Sequence, residues 1–287
     1  MLFVTGLSGN TGQALFPHIR HENIVTVSRQ KQTFPHNVIC HEGDLDDRTF
    51  IESLFQKYQF TEVIHIANIR YTKMIIELAE KYRVQRVIAI HTTGVYSKYR
   101  SCSALYEEIE QTLQKMALTH TSYVILRPTM IYGNERDHNM QKLIRFLAQS
   151  PAFPIFGDGQ SMLQPVHVKD LAAAIATVYA RKDIQNDHFD LSGGSIISYK
   201  ELITFLANAL DRRVYVVPVP FSVATACVRL YNLLPNAIIS TEQVLRLQEH
   251  KVYSHEKAKR VFGYQPRSLE EGLLEEVFIL QQKGLIS

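Results

Sequence analysis

The sequence predicts an α/β protein built on a doubly wound parallel sheet, with a smaller and mostly helical carboxy-terminal lobe. Short apolar runs typical of buried strands alternate with stretches that carry apolar residues every three or four positions, as amphipathic helices do. A glycine-rich segment, TGLSGNTG at residues 5–12, directly follows the first apolar run. Alternation of this kind indicates parallel strands joined by right-handed helical crossovers.

The glycine segment predicts a binding site for a diphosphate. A strand that passes through a glycine turn into a helix brings unpaired amide groups and the positive end of the helix dipole to one point. Gly6 permits the tight turn, Gly9 lets a pyrophosphate approach the backbone, and Gly12 lets the helix pack closely. The alternative is a simple glycine-capped turn. The residues expected to contact a dinucleotide here are Thr5, Gly6, Ser8, Gly9, Asn10, Thr11 and Gly12.

The remaining elements follow in the order that such a sheet requires. Strands are expected at 2–5, 24–27, 38–40, 63–66, 87–90, 124–126 and 188–191. Helices are expected at 11–20, 47–58, 71–82, 104–118, 140–149 and 170–179. Glycine and proline become frequent after Pro128, which marks the start of a second lobe. We therefore expect a nucleotide-binding domain at 1–132, completed by 168–193, and a substrate lobe at 133–167 and 194–287.

Composition and charge exclude several classes of function. Lys and Arg (31) nearly balance Asp and Glu (28) and form no basic stripe, so a nucleic-acid partner is not expected. The three cysteines are widely spaced and form no CxxC pair, which predicts no metal site and favours a reducing cytoplasm. The longest apolar stretch, 221–239, is interrupted by Arg229, so no membrane span is expected.

Motifs along nearly the whole chain resemble the short-chain dehydrogenase/reductase superfamily. The resemblance is to its atypical and extended members, which include sugar-nucleotide epimerases and dehydratases, and it implies a Rossmann fold that binds NAD(P). The motifs are TGxxGxxG at 5–12, GDLD at 43–46, VIHIA at 63–67, TTGVY at 92–96, LRP at 126–128, IYG at 131–133, PVHVKDLA at 165–172 and FGYQP at 262–266.

The resemblance assigns further cofactor contacts to the ends of the strands. Asp44 would accept the adenine amino group with Leu45 beside the ring, although Asp44 is equally suited to cap the next helix. Ala67 leaves room for the ribose or nicotinamide, and Asn68 follows it. Ser28 and Arg29 stand where an acid would bind the ribose 2′-hydroxyl. Because an Arg there pairs with a 2′-phosphate, NADP(H) is favoured over NAD(H), unless Arg29 is merely solvated.

The catalytic pair of the superfamily is missing. Its members use a Tyr, a Lys four residues later and a Ser or Thr, whereas Tyr106 here is followed at that spacing by Glu110, which would disfavour a phenolate. Spacing to the Arg-Pro pair at 127–128 favours a second alignment, with Cys102 at the Tyr position and Tyr106 at the Lys position. Thr92 then remains as the Ser/Thr. His91 is an alternative acid/base, or it simply ends a strand.

Two functions follow from these patterns. The first is an NAD(P)-dependent oxidoreductase or nucleoside-diphosphate-sugar epimerase or dehydratase that acts by hydride transfer on a small-molecule substrate. The second is a non-catalytic NAD(P)-binding redox sensor or accessory protein, which the missing Tyr-Lys pair favours. The segment between Ala67 and Val87 is short, so a monomer is as plausible as a homodimer.

Overall fold

A computed structural model describes residues 1–137, 139–231 and 245–286. The chain divides into two compact units, each made of three separate segments. The first unit comprises Met1–Pro128, Val168–Leu191 and Ser254–Gln265. The second unit comprises Thr129–His167, Ser192–Tyr253 and Pro266–Ser287, within the described residues. The segment 254–265 thus groups with the first unit, whereas the sequence had placed all of 194–287 in the second lobe.

The first unit is built on a seven-stranded parallel sheet in the order β11-β6-β5-β4-β1-β2-β3. Its strands are β1 (Leu2–Thr5), β2 (Ile24–Ser28), β3 (Val38–Glu42), β4 (Glu62–His65), β5 (Arg86–Ile90), β6 (Ser122–Pro128) and β11 (Asp187–Leu191). Because both faces of a parallel sheet are covered by helices, these strands read as nearly continuous apolar runs, and β1, β4 and β5 are buried along their full length.

Helices connect these strands as crossovers. They are α1 (Asn10–Ile19), α2 (Arg48–Lys57), α3 (Thr72–Lys81), α4 (Arg100–Gln114) and α6 (Val168–Ala180). A further helix of this unit, α9 (Glu256–Phe262), follows the last strand of the sheet and packs on β11. Phe3, Phe55 and Phe60 pack ring against ring at centroid distances of 4.9 to 5.6 Å in the core between the sheet and α2. The predicted α/β doubly wound fold is therefore confirmed.

The second unit has only short two-stranded pairings where the first unit has a seven-stranded sheet, and it is mostly helical. Its helices are α5 (Met140–Gln149), α7 (Tyr199–Ala209), α8 (Phe221–Tyr231) and α10 (Leu269–Gln282), and its short strands are β7 (Ile131–Tyr132), β8 (Ala152–Phe156), β9 (Met162–Leu163), β10 (Val166–His167), β12 (Ile197–Ser198) and β13 (Tyr215–Val219). The strands form two-stranded pairs, β7 with β10, β9 with β12 and β8 with β13. Buried side chains of α5, α7 and α10 form its core.

Part of the long apolar stretch at 221–239 forms α8, and its remaining residues, 232–239, lie outside the described part of the chain. None of the described helices combines the length and the apolar character that crossing a bilayer requires.

Candidate functional site

The candidate site lies at the carboxyl ends of the strands of the first unit, where the strand order reverses between β1 and β4. Open parallel sheets bind ligands at such a switch point because the loops after the two strands diverge and leave a crevice. A cleft of about 600 Å³ occupies this position. Its lining residues are Gly6, Ser8, Gly9, Val27, Ser28, Arg29, Gln30, Gln32, Gly43, Asp44, Leu45, Asp46, Ala67, Asn68, Arg70 and Tyr71.

The floor of the cleft is the glycine turn after β1. Gly6 has a φ of +76°, a conformation that L side chains rarely adopt, and a Cβ on it would stand 3.0 Å from the amide nitrogen of Ala67. The Gly9 amide donates to the Gly6 carbonyl at 3.0 Å and closes the turn. The first glycine therefore brings the turn against the end of β4, as its position in the motif predicts.

The amino terminus of α1 follows this turn. Gly9 is the N-cap residue, and in this helix no side chain caps the first turn and no acidic residue lies in it. The first-turn amides of a helix have no intrahelical acceptor, and the helix dipole is positive at this end. The arrangement suits an anion such as a diphosphate.

The end of β2 supplies the basic side of the cleft. Ser28 is the last residue of β2, and Arg29, Gln30 and Gln32 continue the lining. Arg29 is exposed. The β2 end thus places a cation and two side-chain amides in the cleft, and no carboxylate.

The end of β3 contributes Asp44 and Leu45. The N-cap of α2 is Asp47, whose carboxylate accepts from the Phe50 amide at 2.9 Å. Asp44 is therefore not the cap of this helix. Its Oδ1 accepts from the Asp46 amide at 3.1 Å, and the residue lines the cleft.

The sequence had not singled out Arg70 and Tyr71, which line the cleft after β4. They lie in a one-turn 3-10 helix, Ile69–Tyr71, capped by the side chain of Asn68, which accepts from the Arg70 amide at 3.1 Å. The available signal in the sequence was the set Asn68, Arg70 and Tyr71 just after a predicted strand, since ligands bind at that edge of the sheet.

Seven predicted site residues do not line the cleft: Thr5, Asn10, Thr11, Gly12, His91, Thr92 and Tyr106. Thr5 is fully buried, with its hydroxyl 2.7 Å from Nδ1 of His65, and it accepts from the Ala67 amide at 3.3 Å. A Cβ on Gly12 would stand 2.3 Å from the Gly6 carbonyl oxygen, so Gly12 acts by close packing of α1 on the turn. Thr5 and Gly12 therefore shape the glycine turn without lining the cleft.

His91, considered above as an acid/base or a strand end, is held in a buried hydrogen-bond network. Its Nδ1 is 2.9 Å from Oε1 of Glu110 and its Nε2 is 3.1 Å from the Thr72 hydroxyl. Both ring nitrogens are therefore occupied. Arg127 donates to both oxygens of the same Glu110, from Nε at 2.8 Å and from Nη2 at 2.5 Å.

The network sets the charge of its members. Burial would raise the pKa of Glu110, but the hydrogen bonds from His91 and Arg127 outweigh it and lower that pKa to about 2. Burial lowers the pKa of His91 in spite of the opposing hydrogen bond to Glu110. The Glu110 carboxylate and the Arg127 guanidinium thus form a buried ion pair.

Tyr96 closes this network toward solvent. Its hydroxyl lies 3.0 Å from both carboxylate oxygens of Asp190 and accepts from Arg127 at 3.1 Å. Burial first and then the nearby Asp190 raise the pKa of Tyr96 to about 12, although Arg127 opposes the change. Tyr96 is therefore a neutral phenol near pH 7.

Thr92 and Tyr106, the remaining catalytic candidates, flank one stretch of backbone. Thr92 is half-buried, and its hydroxyl accepts from the Gly94 amide at 3.0 Å. A Cβ built on Gly94 would lie 3.2 Å from Cε2 of Tyr106 and 3.3 Å from Oγ1 of Thr92. The fold thus brings the two residues together from β5 and α4. Cys102 is in α4, and its side chain lies outside the described residues.

A second cleft, of about 440 Å³, lies within the second unit. It is lined by Phe156, Gly157, Asp158, Gly159, Gln160, Ser161, Phe221, Leu247, Gln248 and His250. Across the described residues of both units, no group of three or more His, Cys, Asp or Glu side chains is arranged to hold a metal ion.

Comparison with known proteins identifies relatives over most of the chain. The NAD dependent epimerase/dehydratase family matches residues 2–192. A human protein, short-chain dehydrogenase/reductase family 42E member 1, is 23% identical over 95% of this chain and 86% of its own length. The UDP-glucose 4-epimerase of Vibrio cholerae is 27% identical over 52% of this chain and 44% of its own length.

Solved structures show the same fold at low sequence identity. The UDP-glucose 4-epimerase of Thermotoga maritima, solved with UDP-glucose, superposes with a TM-score of 0.75 at 18% identity, over 98% of this chain and 99% of that one. MoeE5, solved with UDP-glucose and NAD, superposes with a TM-score of 0.73 at 18% identity, with the same coverage of 98% and 99%.

Proposed function

Because this chain belongs to the NAD dependent epimerase/dehydratase family, we propose that it binds a nicotinamide dinucleotide and transfers a hydride to or from a small-molecule substrate. The observation that carries the proposal is the cleft at the switch point of the first unit, in which the glycine turn, the α1 amino terminus and the ends of β2, β3 and β4 meet. The substrate class that we propose is a nucleoside-diphosphate sugar, as bound by the solved relatives.

The residues present fit the dinucleotide. Gly6 lets the turn pack against Ala67, Gly9 presents no side chain where a pyrophosphate would approach, and the α1 dipole attracts its charge. Asp44 and Leu45 would hold the adenine, and Ala67 and Asn68 the adjoining ribose. When bound, the nicotinamide supplies or accepts the hydride.

The same site favours NADP(H) over NAD(H) in this proposal. Arg29 follows β2, where its cationic side chain lines the cleft together with Gln30 and Gln32. A guanidinium binds a 2′-phosphate by charge-assisted hydrogen bonds, which a 2′-hydroxyl cannot match.

Proton transfer to the substrate must work without the usual Tyr-Lys pair. We propose that the Thr92 hydroxyl hydrogen-bonds the substrate oxygen and that Tyr106, which also lies beside Gly94, is the phenol that assists it. His91 is not part of this proposal because Glu110 and Thr72 occupy both its nitrogens. Because no cation lies at the Lys position to lower the pKa of the Tyr, we expect slow turnover. Positioned acid/base catalysis contributes about a hundred- to ten-thousandfold in rate.

A non-catalytic nucleotide-binding protein is the second candidate. It is favoured by the alignment in which Cys102 and Tyr106 stand at the catalytic Tyr and Lys positions, an alignment that agrees with Glu110 being buried against Arg127. In that case the chain senses the redox state of the nucleotide or serves as an accessory protein.

The test is a calorimetric titration with NADPH and with NADH. We expect tighter binding of NADPH, and we expect Arg29→Ala to weaken NADPH binding by about tenfold while leaving NADH binding unchanged. Arg20→Ala, which removes an exposed cation from the end of α1, is the control and should change neither affinity. Equal affinities that are insensitive to Arg29→Ala would reject the preference for NADP(H).

Turnover separates the two candidates. Incubation with UDP-glucose and the bound nucleotide should yield product in wild type and less in Thr92→Ala, with nucleotide affinity unchanged. Tight nucleotide binding with no turnover of any sugar nucleotide tried would support the binding-only protein.

A further inference from the structure

Arg70 is held at the cleft in a fixed orientation by two neighbours. Its Nη2 donates to Oδ2 of Asp46 at 2.8 Å, which ties the segment after β4 to the segment after β3. The same nitrogen contacts the Tyr71 hydroxyl, and Cζ of Arg70 lies 4.6 Å from the centroid of the Tyr71 ring. Asp46, Arg70 and Tyr71 all line the cleft.

These contacts leave one part of the guanidinium for a ligand. The guanidinium lies over the Tyr71 ring and Asp46 binds its Nη2, and we call the part of the group that these two partners do not contact its uncovered face. The Arg70 side chain is 53% exposed, and an exposed ion pair of this kind contributes little to stability. Its effect is to orient the plane.

The pairing also decides what the uncovered face can bind. Asp46 neutralises much of the positive charge of Arg70, and Asp44 stands in the same cleft. A phosphate would depend on the net charge of Arg70, which Asp46 reduces. A flat, uncharged aromatic base does not, and a guanidinium face stacks on such rings because it is planar and weakly hydrated.

We propose that the uncovered face of Arg70 stacks on the adenine base of the bound dinucleotide, with Asp46 and Tyr71 as positioning residues. The inference rests on the proposed nucleotide binding and adds a residue to the adenine end of the site. It makes Arg70 a determinant of affinity for the adenosine half, independent of the 2′-phosphate that Arg29 would bind.

Fragments of the dinucleotide test the proposal by calorimetry. ADP-ribose carries the adenine without nicotinamide or 2′-phosphate, and nicotinamide mononucleotide carries no adenine. We expect Arg70→Ala to weaken binding of ADP-ribose and of NADPH equally, by about tenfold, and to leave nicotinamide mononucleotide binding unchanged. We expect Arg70→Lys to lose nearly as much, because Lys keeps the charge but not the plane.

Arg48→Ala is the matched control. Arg48 also lies in the first unit, donates to Glu77 at 2.7 Å and has a side chain 54% exposed, but it does not line the cleft. Its removal should leave every affinity unchanged. Thermal unfolding of each variant checks that the fold is intact.

Three results overturn the inference. Full affinity in Arg70→Ala excludes any contact, and full affinity in Arg70→Lys shows that Arg70 acts as a point charge on phosphate. A wild-type chain that binds neither ADP-ribose nor NADPH rejects the proposed function itself, whereas wild-type binding combined with an unaffected Arg70→Ala rejects only the stacking.

Discussion

Two glutamates, one in the interior of each unit, are buried almost equally but differ in charge. One is a carboxylate and the other is a neutral carboxyl group. Glu110 of the first unit is 6% exposed and Glu276 of the second unit is 0% exposed. Glu110 faces the Arg127 guanidinium and His91, which lower its pKa to about 2. Glu276 faces another carboxyl group, that of Asp137.

The Asp137 carboxylate explains the state of Glu276. Asp137 accepts from the amides of Asn139, Met140 and Gln141 at 2.6, 2.8 and 2.9 Å, at the amino terminus of α5. These hydrogen bonds hold the Asp137 side chain in place. Burial first, and then the hydrogen bond and charge of Asp137, raise the pKa of Glu276 to about 11, although the Gly133 amide donates to it at 3.1 Å.

Burial raises the pKa of a carboxyl group in both units, so the partner decides the sign of the net change. With a guanidinium as partner, the buried group is an anion in an ion pair. With a carboxylate as partner, the buried group keeps its proton and serves as a donor. The same substitution at the two sites should therefore have unlike consequences.

The largest expected effect is from Glu110→Gln. The change removes the carboxylate that pairs with Nε and Nη2 of Arg127 and leaves Asp190, 3.4 Å from Nη1, as its remaining counter-charge, so we expect the free energy of unfolding to fall by about 3 kcal/mol. Glu276→Gln is the matched control at pH 7 and should be neutral or stabilising, because an amide donates to Asp137 as the protonated carboxyl does. Urea unfolding measures both. Equal destabilisation by the two substitutions would contradict the proposal that Glu110 is ionised and Glu276 is neutral.

The second effect is a loss of stability at alkaline pH. The pKa of Glu276 is raised in the folded state, so its contribution is fully present below the unfolded value near 4.5 and declines up to the folded value of about 11. The free energy of unfolding should fall by about 1.4 kcal/mol per pH unit within that window. Urea unfolding of wild type between pH 7 and 9 should show this slope, and Glu276→Gln should lack it. A parallel slope in both proteins would assign it to other groups.

The smallest effect is at acid pH. The pKa of Glu110 is lowered in the folded state, so its contribution is present above the unfolded value of about 4.5 and is lost as the pH falls toward about 2. We expect about 1 kcal/mol to be lost between pH 6 and 3.5. The Glu276→Gln variant serves here as the reference protein, because its free energy of unfolding should not fall at alkaline pH. It should still show the full loss of stability at acid pH. If the loss of stability at low pH disappears in Glu276→Gln, then Glu276 rather than Glu110 causes it, and the charge states of the two carboxyl groups have been exchanged.

The fold could be predicted from sequence because its signals are local. The strands of the first unit are apolar runs, and the turn at Gly6 needs a residue that tolerates positive φ. Predicted and observed ends agree within a few residues for most elements, and the largest shift is at α4, which begins at Arg100 rather than at 104. That shift arises because residues 100–103 carry no clear apolar period.

The chemistry of the buried polar groups could not be predicted in the same way. His91 reads as a free acid/base in sequence, and only the fold brings Glu110 and Thr72 to its two nitrogens. Glu276 stands beside Glu275 in a helix of ordinary pattern, and Asp137 reaches it from a distant loop. The Arg70 guanidinium likewise binds Asp46, which lies on another loop, and the sequence alone does not show this contact.

The division of both units into separate segments affects the order in which they are completed during synthesis. All seven strands of the central sheet lie between Leu2 and Leu191, so that sheet has every strand it needs once α6 and β11 have left the ribosome. The core of the second unit includes Leu273 and Leu280 of α10 and must wait for them. Until then the apolar faces of α5 and α7 lack α10 as a packing partner, and exposed apolar surface of this kind makes partly folded chains prone to aggregate.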